Sequence, residues 1–117
     1  MKPRYKTTFK LFADDTDRAF FGSGPAHLLA AIDETRSIAK AAKKMNMAYT
    51  KAHKMLMRAE EAIGAPLVQK QTGGLGGGGS SLTPLAKQWL SAYNACYLAL
   101  NKKADTLYDQ HIRPLIK

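Results

Sequence analysis

The sequence is poor in the residues that mark secreted and membrane-spanning proteins. It contains one cysteine, Cys96, and a single thiol cannot close a disulfide within the chain. No run approaches the roughly 20 apolar residues that span a bilayer, and the basic N-terminus lacks the apolar stretch of a signal peptide. We therefore expect a protein of the reducing cytoplasm with no membrane partner, in which Cys96 packs among apolar positions rather than reacts.

Acidic residues are also few. Nine Asp and Glu stand against 18 Lys and Arg, so the formal net charge is +9 and the isoelectric point is near 9.8. A surface of this sign attracts polyanions over a Debye length. Charge alone fits nucleic acid, an anionic membrane surface or a generally solvated basic surface, and the spacing of the motifs described below favours nucleic acid. With 117 residues, 45% of them hydrophobic, the chain is long enough for one domain, 1–117, and too short for a second of ordinary size.

Residues that carry catalytic or metal chemistry are scarce and scattered. The three histidines, His27, His53 and His111, fall on separate predicted segments, and no carboxylate pair or Cys/His arrangement has the spacing that catalysis needs. The acidic turn at 14–17 lacks the ligand spacing of a calcium loop, and the G-x-G-x-x-G spacing at 74–79 lacks the βαβ unit of a dinucleotide fold. We therefore expect no enzyme activity, no metal site and no cofactor.

The spacing of apolar residues predicts a mainly α fold with a small amount of β structure. Alternation indicates a strand or hairpin over 5–22, and three helices with apolar faces follow within 25–63. A glycine-rich wing is expected over 67–82 and a long helix over 83–109, which begins at the N-cap Thr83 with proline at its first position. This order of elements is that of a winged helix-turn-helix with an N-terminal hairpin and a long C-terminal helix.

The stretch 37–70 carries the strongest functional signal. Ser37 is a suitable N-cap for a helix over 38–45, and Asn46, which tolerates a left-handed backbone, suits the turn after it. The next helix, over 48–63, has a narrow apolar stripe and an opposite face that is aromatic, hydroxylated and basic in its first half and acidic at its far end. This asymmetry favours a helix that enters the DNA major groove by its N-terminal residues over an ordinary amphipathic helix with a solvated charged face.

The glycine-rich segment 72–81 has two interpretations. Its composition is that of a flexible linker. Because a strand-like segment lies on each side, it also fits the tip of a hairpin, where glycines let backbone N–H groups approach phosphates closely.

The C-terminal helix shows two apolar rows about a quarter turn apart. One row is enough for the core of a single domain, so the second predicts a homodimer in which the C-terminal helices pack together. The alternative is that the tyrosines of this row lie half-exposed at the edge of a single core. The expected dimer residues are Leu90, Tyr93, Tyr97, Leu100 and Leu107.

Several short pieces between Leu28 and Thr83 match one known family. They are Leu29-Ala30-Ala31-Ile32, Ser37-Ile38 with Ala41-Ala42, Tyr49 with Ala52, Pro66-Leu67-Val68, Thr72-Gly73-Gly74 with Gly76-Gly77-Gly78-Gly79, and Leu82-Thr83. The run resembles the N-terminal winged-helix domain of molybdate-dependent transcriptional regulators of the ModE type, which is related to the DNA-binding domain of LysR-type regulators. The resemblance implies a dimer that binds an inverted-repeat operator in double-stranded DNA, with the helix at Tyr49 in the major groove and the glycine hairpin against the backbone or minor groove.

The sequence departs from that family beside the expected reading surface. Arg36 stands where the family has glycine, Ala48 where it has serine, and His53 where it has tryptophan. The operator sequence therefore cannot be transferred from the family. The chain also ends at Lys117, before the molybdate-binding domains of the family, so we expect that this chain alone does not sense molybdate.

We therefore expect a sequence-specific DNA-binding transcriptional regulator, a stand-alone winged helix-turn-helix dimer. The alternative is a winged-helix module that binds a protein through its exposed aromatic row and touches DNA weakly or not at all. Lysines and wing glycines would hold phosphates, whereas Tyr49, Thr50, His53 and Lys54 would approach base edges. The full set of expected DNA contacts is Arg36, Ser37, Lys40, Lys43, Lys44, Tyr49, Thr50, Lys51, His53, Lys54, Lys70, Thr72, Gly73, Gly74, Gly76 and Gly77.

Overall fold

The structure is a computed structural model that describes residues 2–71 and 79–116. It confirms the predicted mainly α fold, a winged helix-turn-helix with small antiparallel strand pairs and a long C-terminal helix. The elements in chain order are β1 (Leu11–Phe12), β2 (Ala19–Phe21), α1 (Ser23–Thr35), α2 (Ile38–Lys44), α3 (Tyr49–Ile63), β3 (Val68–Gln71), β4 (Gly79–Leu82) and α4 (Pro84–Leu107), followed by a π-helical turn (Tyr108–Ile112) and a 3₁₀ turn (Arg113–Leu115).

The boundaries of the helices follow from their capping residues. The Ser37 hydroxyl accepts a hydrogen bond from the Lys40 amide at 3.1 Å and starts α2, and the Thr83 hydroxyl accepts one from the Ala86 amide at 3.2 Å and starts α4. Gly64 ends α3 at a φ of 84°, in the left-handed region that glycine enters most easily. The expected left-handed turn at Asn46 is confirmed, with a φ of 56°.

The core lies where α1, α2, α3, β2 and the start of α4 meet. Its largest fully buried side chains are Phe21, Leu28, Leu29, Ile32 and Leu67. Small residues line the contacts between the helices, and the predicted inward positions of Ala41 and Ala42 are confirmed, since both are buried against Ala52 and its neighbours in one cluster. Side chains of this size let helix axes approach closely, so the short α2 can cross α3 at the turn.

The N-terminal strand is much shorter than the sequence pattern predicts. Only Leu11 and Phe12 pair with β2, in the register Leu11↔Phe21 and Phe12↔Ala19. The preceding residues, 5–9, lie along α4 instead, and we call this segment the N-terminal strap. The alternation that suggested a long strand persists in the strap, because every second residue faces α4.

Hydroxyl groups on α4 bind the strap at regular intervals. The Tyr93 hydroxyl donates to the Phe9 carbonyl at 3.0 Å, and the Tyr97 hydroxyl donates to the Thr7 carbonyl at 3.4 Å. The spacing of the two tyrosines along the helix matches the spacing of the two carbonyls along the strap. Two residues of extended chain advance about 6.6 Å, and four residues of helix advance about 6 Å. At the far end, the Tyr5 hydroxyl donates to the Asp105 carboxylate, which raises the pKa of Tyr5 to about 12.

The strap changes which residues of α4 remain open to solvent. Tyr93, predicted at a dimer interface, is buried in the core of its own chain, where its ring stacks on Phe9 at 5.6 Å, and Tyr97 is half-buried under the strap. Burial raises the pKa of Tyr93. The prediction that Cys96 packs among apolar residues is wrong for the single chain, because Cys96 is exposed. It lies 100° around the helix from Tyr97, the residue of this turn that the strap contacts.

The C-terminal helix presents an outer face to solvent, which we define by Ala92, Cys96, Leu100 and Leu107. Two leucines on it remain substantially exposed, Leu100 at 40% and Leu107 at 42%. None of the helices in the described ranges 2–71 and 79–116 has both the length and the apolar character needed to cross a bilayer.

Candidate nucleic-acid interface

The turn between α2 and α3 is closed by backbone hydrogen bonds. The Met47 amide donates to the Ala42 carbonyl at 3.0 Å, and the Asn46 amide donates to the Lys43 carbonyl at 3.0 Å. The left-handed backbone at Asn46 then redirects the chain, so that α3 begins at Tyr49. Together these contacts hold the first turn of α3 at the protein surface.

The first half of α3 forms the exposed face that the sequence predicts. Tyr49 is 51% exposed, and its ring stacks on His53, one turn later, with 5.9 Å between the ring centroids. The two rings give one flat aromatic surface flanked by hydroxyl and amino groups. The exposed residues of this face are Tyr49, Thr50, Lys51, His53 and Lys54. Ala52, Leu56 and Ala59 are buried on the opposite side, so the face is held by the core.

The strands on the two sides of the glycine-rich segment pair with each other, as the hairpin interpretation expects. Strands β3 and β4 pair antiparallel from Val68↔Leu82 to Gln71↔Gly79. The expected DNA contacts at its tip, Thr72, Gly73, Gly74, Gly76 and Gly77, lie outside the described residues. The described part of the wing brings Lys70 and Ser80 beside the start of α2.

Glu60 is a structural residue of this surface that the sequence analysis missed. Its carboxylate accepts hydrogen bonds from the Leu67 amide at 2.7 Å and from the Val68 amide at 3.4 Å. These two amides begin the wing, so Glu60 ties the first wing strand to α3. The sequence contained an indirect signal, because Pro66 prevents the chain from continuing the helix and leaves the next amides in need of acceptors.

A groove of about 830 Å³ separates the wing from the start of α2 and α3. Five predicted contact residues line it: Arg36, Ser37, Lys40, Tyr49 and Lys70. These five residues are up to 34 positions apart in sequence, and the groove brings them together. Its described lining holds three cationic side chains and no carboxylate, which suits an anionic group.

The remaining predicted contacts on α2 lie beyond this groove, at the helix end. Lys43 and Lys44 are both exposed. Lys44 also pairs with Glu34 of α1, with 2.6 Å between its amino nitrogen and the carboxylate. An exposed pair of this kind is worth only about 0–1 kcal/mol, so a phosphate can compete with Glu34 for the amine.

Two backbone features attach the second wing strand to the end of α1. The Ser80 amide donates to the Arg36 carbonyl at 2.8 Å, and a Cβ atom at Gly79 would lie only 2.8 Å from the same oxygen. Arg36 itself has a φ of 62°, in the left-handed region. Arg36 thus has a backbone conformation that favours glycine.

A helix-turn-helix followed by a β wing, with an aromatic and basic face on the second helix, defines the class of winged-helix DNA-binding regulators. Within it, the chain belongs to the bacterial regulatory helix-turn-helix proteins of the lysR family, whose family model matches residues 26–87. The match runs from the first turns of α1 to the start of α4.

Two curated relatives confirm the resemblance to ModE-type proteins. The chain is 36% identical over 77 residues to the molybdenum-pterin-binding protein MopB of Rhodobacter capsulatus, and 38% identical over 77 residues to the molybdenum transport protein ModE of Herbaspirillum seropedicae. Each alignment covers 66% of this chain but only 28% and 27% of the respective relative. The chain thus spans little more than a quarter of their length.

Proposed function

We propose that this chain is a sequence-specific regulator of transcription that binds double-stranded DNA with α3 in the major groove. The observation that carries the proposal is the stacked and exposed pair Tyr49 and His53 on the first half of α3, next to a groove lined by cations. A helix of this kind presents side chains to base edges while the surrounding lysines neutralise phosphates.

The proposed contacts divide into two groups by what they recognise. Arg36, Ser37, Lys40, Lys43, Lys44, Lys51 and Lys70 bind the sugar-phosphate backbone and set the register of the protein on DNA. Tyr49, Thr50, His53 and Lys54 lie on the side of α3 that faces the bases, and they read the sequence. We also propose contacts with the backbone or the minor groove for the tip of the wing, at Thr72, Gly73, Gly74, Gly76 and Gly77.

Selection from random DNA followed by a salt titration tests this function. We expect the selected fragments to share an inverted repeat with half-sites about one helical turn apart. Their affinity should fall steeply with salt, with a log-log slope of roughly −0.9 for each phosphate that is neutralised. A selection that enriches no common sequence, together with a flat salt response, would reject DNA recognition.

The same titration separates the proposal from a winged-helix module that binds only protein. That alternative needs an exposed aromatic row on α4. Tyr93 and Tyr97 instead donate hydrogen bonds to the strap within their own chain. A protein-binding module would also show little salt-dependent affinity for DNA.

His53 should contribute to the discrimination between bases. Its ring stacks on Tyr49 on the exposed face of α3, where a side chain can reach a base edge. We expect a His53→Gln variant to discriminate less strongly than the wild-type chain between a selected site and a mutated one, as measured by fluorescence anisotropy. Equal discrimination by the two proteins, with the fold intact by circular dichroism, would remove His53 from the contact.

We further propose that the chain acts as a homodimer through the outer face of α4. An inverted repeat requires two copies related by a two-fold axis, and each copy must present the same patch. The strap covers the tyrosine row, whereas Cys96, Leu100 and Leu107 remain exposed on one side of the helix. These positions, rather than the tyrosines, offer the contact surface.

A further inference from the structure

Arg36 occupies a backbone conformation that favours glycine. Its φ of 62° and ψ of 26° lie in the left-handed region, where the Cβ atom of an L-residue crowds its own backbone. Its amide closes the end of α1 on the Ile32 carbonyl at 2.7 Å, which is a role that glycine fills without this penalty. Helix termination therefore does not account for an arginine here. Strained positions of this kind cluster at functional sites.

The backbone of Arg36 holds the wing in place. Its carbonyl accepts the Ser80 amide at 2.8 Å, and Gly79 packs so closely against that oxygen that a Cβ atom would come within 2.8 Å of it. Real Cβ atoms essentially never approach a backbone oxygen so closely. The left-handed turn, the second wing strand and the start of α2 therefore form one fixed unit.

Arg36 lines the groove between this unit and α3. Lys40 and Lys70 line the same groove from α2 and the wing, and the Tyr49 ring lies at its α3 side. Three cations around one concave site repel each other unless an anion is present. A guanidinium can donate two parallel hydrogen bonds to a phosphate, which a lysine amine cannot do.

We propose that this groove seats one phosphodiester of the DNA backbone, and that the strained turn at Arg36 places the guanidinium on that phosphate while its carbonyl fixes the wing. The proposal rests on the proposed DNA-binding function and names one contact within it. It has an unusual consequence, because the same residue lowers the stability of the fold and raises affinity for DNA. Stability and affinity should then change in opposite directions when Arg36 is replaced.

The Arg36→Gly variant of the full chain tests whether stability and DNA affinity change in opposite directions. Glycine relieves the left-handed strain, so the melting temperature should rise by roughly 2–5 °C. Loss of one phosphate contact should weaken binding to a short mixed-sequence duplex about 5- to 10-fold at low salt, and the log-log salt slope should become shallower by about 0.9. Arg36→Lys keeps the charge and the strain, so it should keep the wild-type slope while losing part of the affinity that the paired hydrogen bonds supply.

Asn46→Gly is the matched control. Asn46 has nearly the same backbone conformation, with a φ of 56°, and is exposed, but it carries no charge. Its replacement by glycine should leave the salt slope unchanged. A lower melting temperature or an unchanged slope for Arg36→Gly would overturn the phosphate seat while leaving DNA binding by the wild-type chain in place. A wild-type chain that binds no duplex at all would instead overturn the proposed function, and the phosphate seat with it.

Discussion

A chain in which Leu100→Glu and Leu107→Glu are combined is expected to be a monomer and to bind an inverted repeat about 100-fold more weakly than the wild-type chain. The two leucines are 40% and 42% exposed on the outer face of α4. Glutamates at these positions would bring four carboxylates into a symmetric interface, where their desolvation and mutual repulsion oppose association.

The loss in affinity follows from effective concentration. When one protomer of a preformed dimer has bound its half-site, the helix-turn-helix of the other protomer meets the second half-site at an effective concentration in the millimolar range. This coupling raises the affinity by roughly 10²- to 10⁴-fold. A monomer must bind each half-site separately. Its affinity for a single half-site should be unchanged, because Leu100 and Leu107 lie outside the proposed DNA contacts.

Leu98→Glu is the matched control for the double variant. Leu98 is 69% exposed and lies 200° around the helix from Leu100 and 180° from Leu107, on the opposite side of α4. The same chemical change there should leave the mass in analytical ultracentrifugation and the affinity for DNA unaltered. If the double variant stays dimeric, or if Leu98→Glu is the change that dissociates the chains, the outer face is not the interface.

The helices and their caps were predictable because their signals are local. The Ser37 and Thr83 hydroxyls accept hydrogen bonds from amides three residues later, and Asn46 adopts a left-handed backbone that its residue type tolerates. The residue type and its position relative to the apolar pattern are therefore sufficient. The exposed face on the first half of α3 was predictable for a similar reason. A helix that buries Ala52, Leu56 and Ala59 must present Thr50 and Lys54 to solvent, because both lie at least 120° around the helix from all three. Tyr49 lies near the angle of Leu56 and is exposed as the first residue of the helix.

The N-terminal strap shows where local signals fail. Alternation with period two indicates an extended chain, but the period is the same whether the partner is another strand or a helix. In this chain the partner of the extended segment is α4. Tyr93 and Tyr97, more than 80 positions away, donate hydrogen bonds to the carbonyls of Phe9 and Thr7. Apolar rows on α4 indicated that something covers the tyrosines, and only the tertiary fold shows that the cover is the chain's own N-terminus.

Part of the candidate site could not be predicted from the sequence either. The groove depends on the Ser80 amide meeting the Arg36 carbonyl and on the Glu60 carboxylate meeting the Leu67 amide. Neither contact has a motif, because each joins segments whose separation is set by packing. The family resemblance indicated that Arg36 replaces a glycine. The left-handed φ of Arg36 gives the physical reason why glycine suits this position.

Replacing Phe21 with alanine is expected to lower the free energy of unfolding by about 3–5 kcal/mol, a large part of the 5–15 kcal/mol typical of a domain. Phe21 is fully buried at the end of β2, and its ring centroid lies 5.4 Å from that of Trp89 and 5.3 Å from that of Tyr93 on α4. Truncation would remove both aromatic contacts and leave a cavity between the hairpin and α4. Urea unfolding followed by circular dichroism measures the change.

Phe12→Ala is the control for this prediction, since Phe12 lies on the partner strand of the same hairpin but is 50% exposed. Its truncation should cost less than about 1 kcal/mol. Because Phe21 packs directly on α4, its loss should also loosen the contact between α4 and the helix-turn-helix. The folded fraction of the variant should then discriminate less strongly between correctly and incorrectly spaced half-sites. Equal losses for the two variants would mean that the hairpin, rather than the aromatic contact with α4, is the stabilising unit.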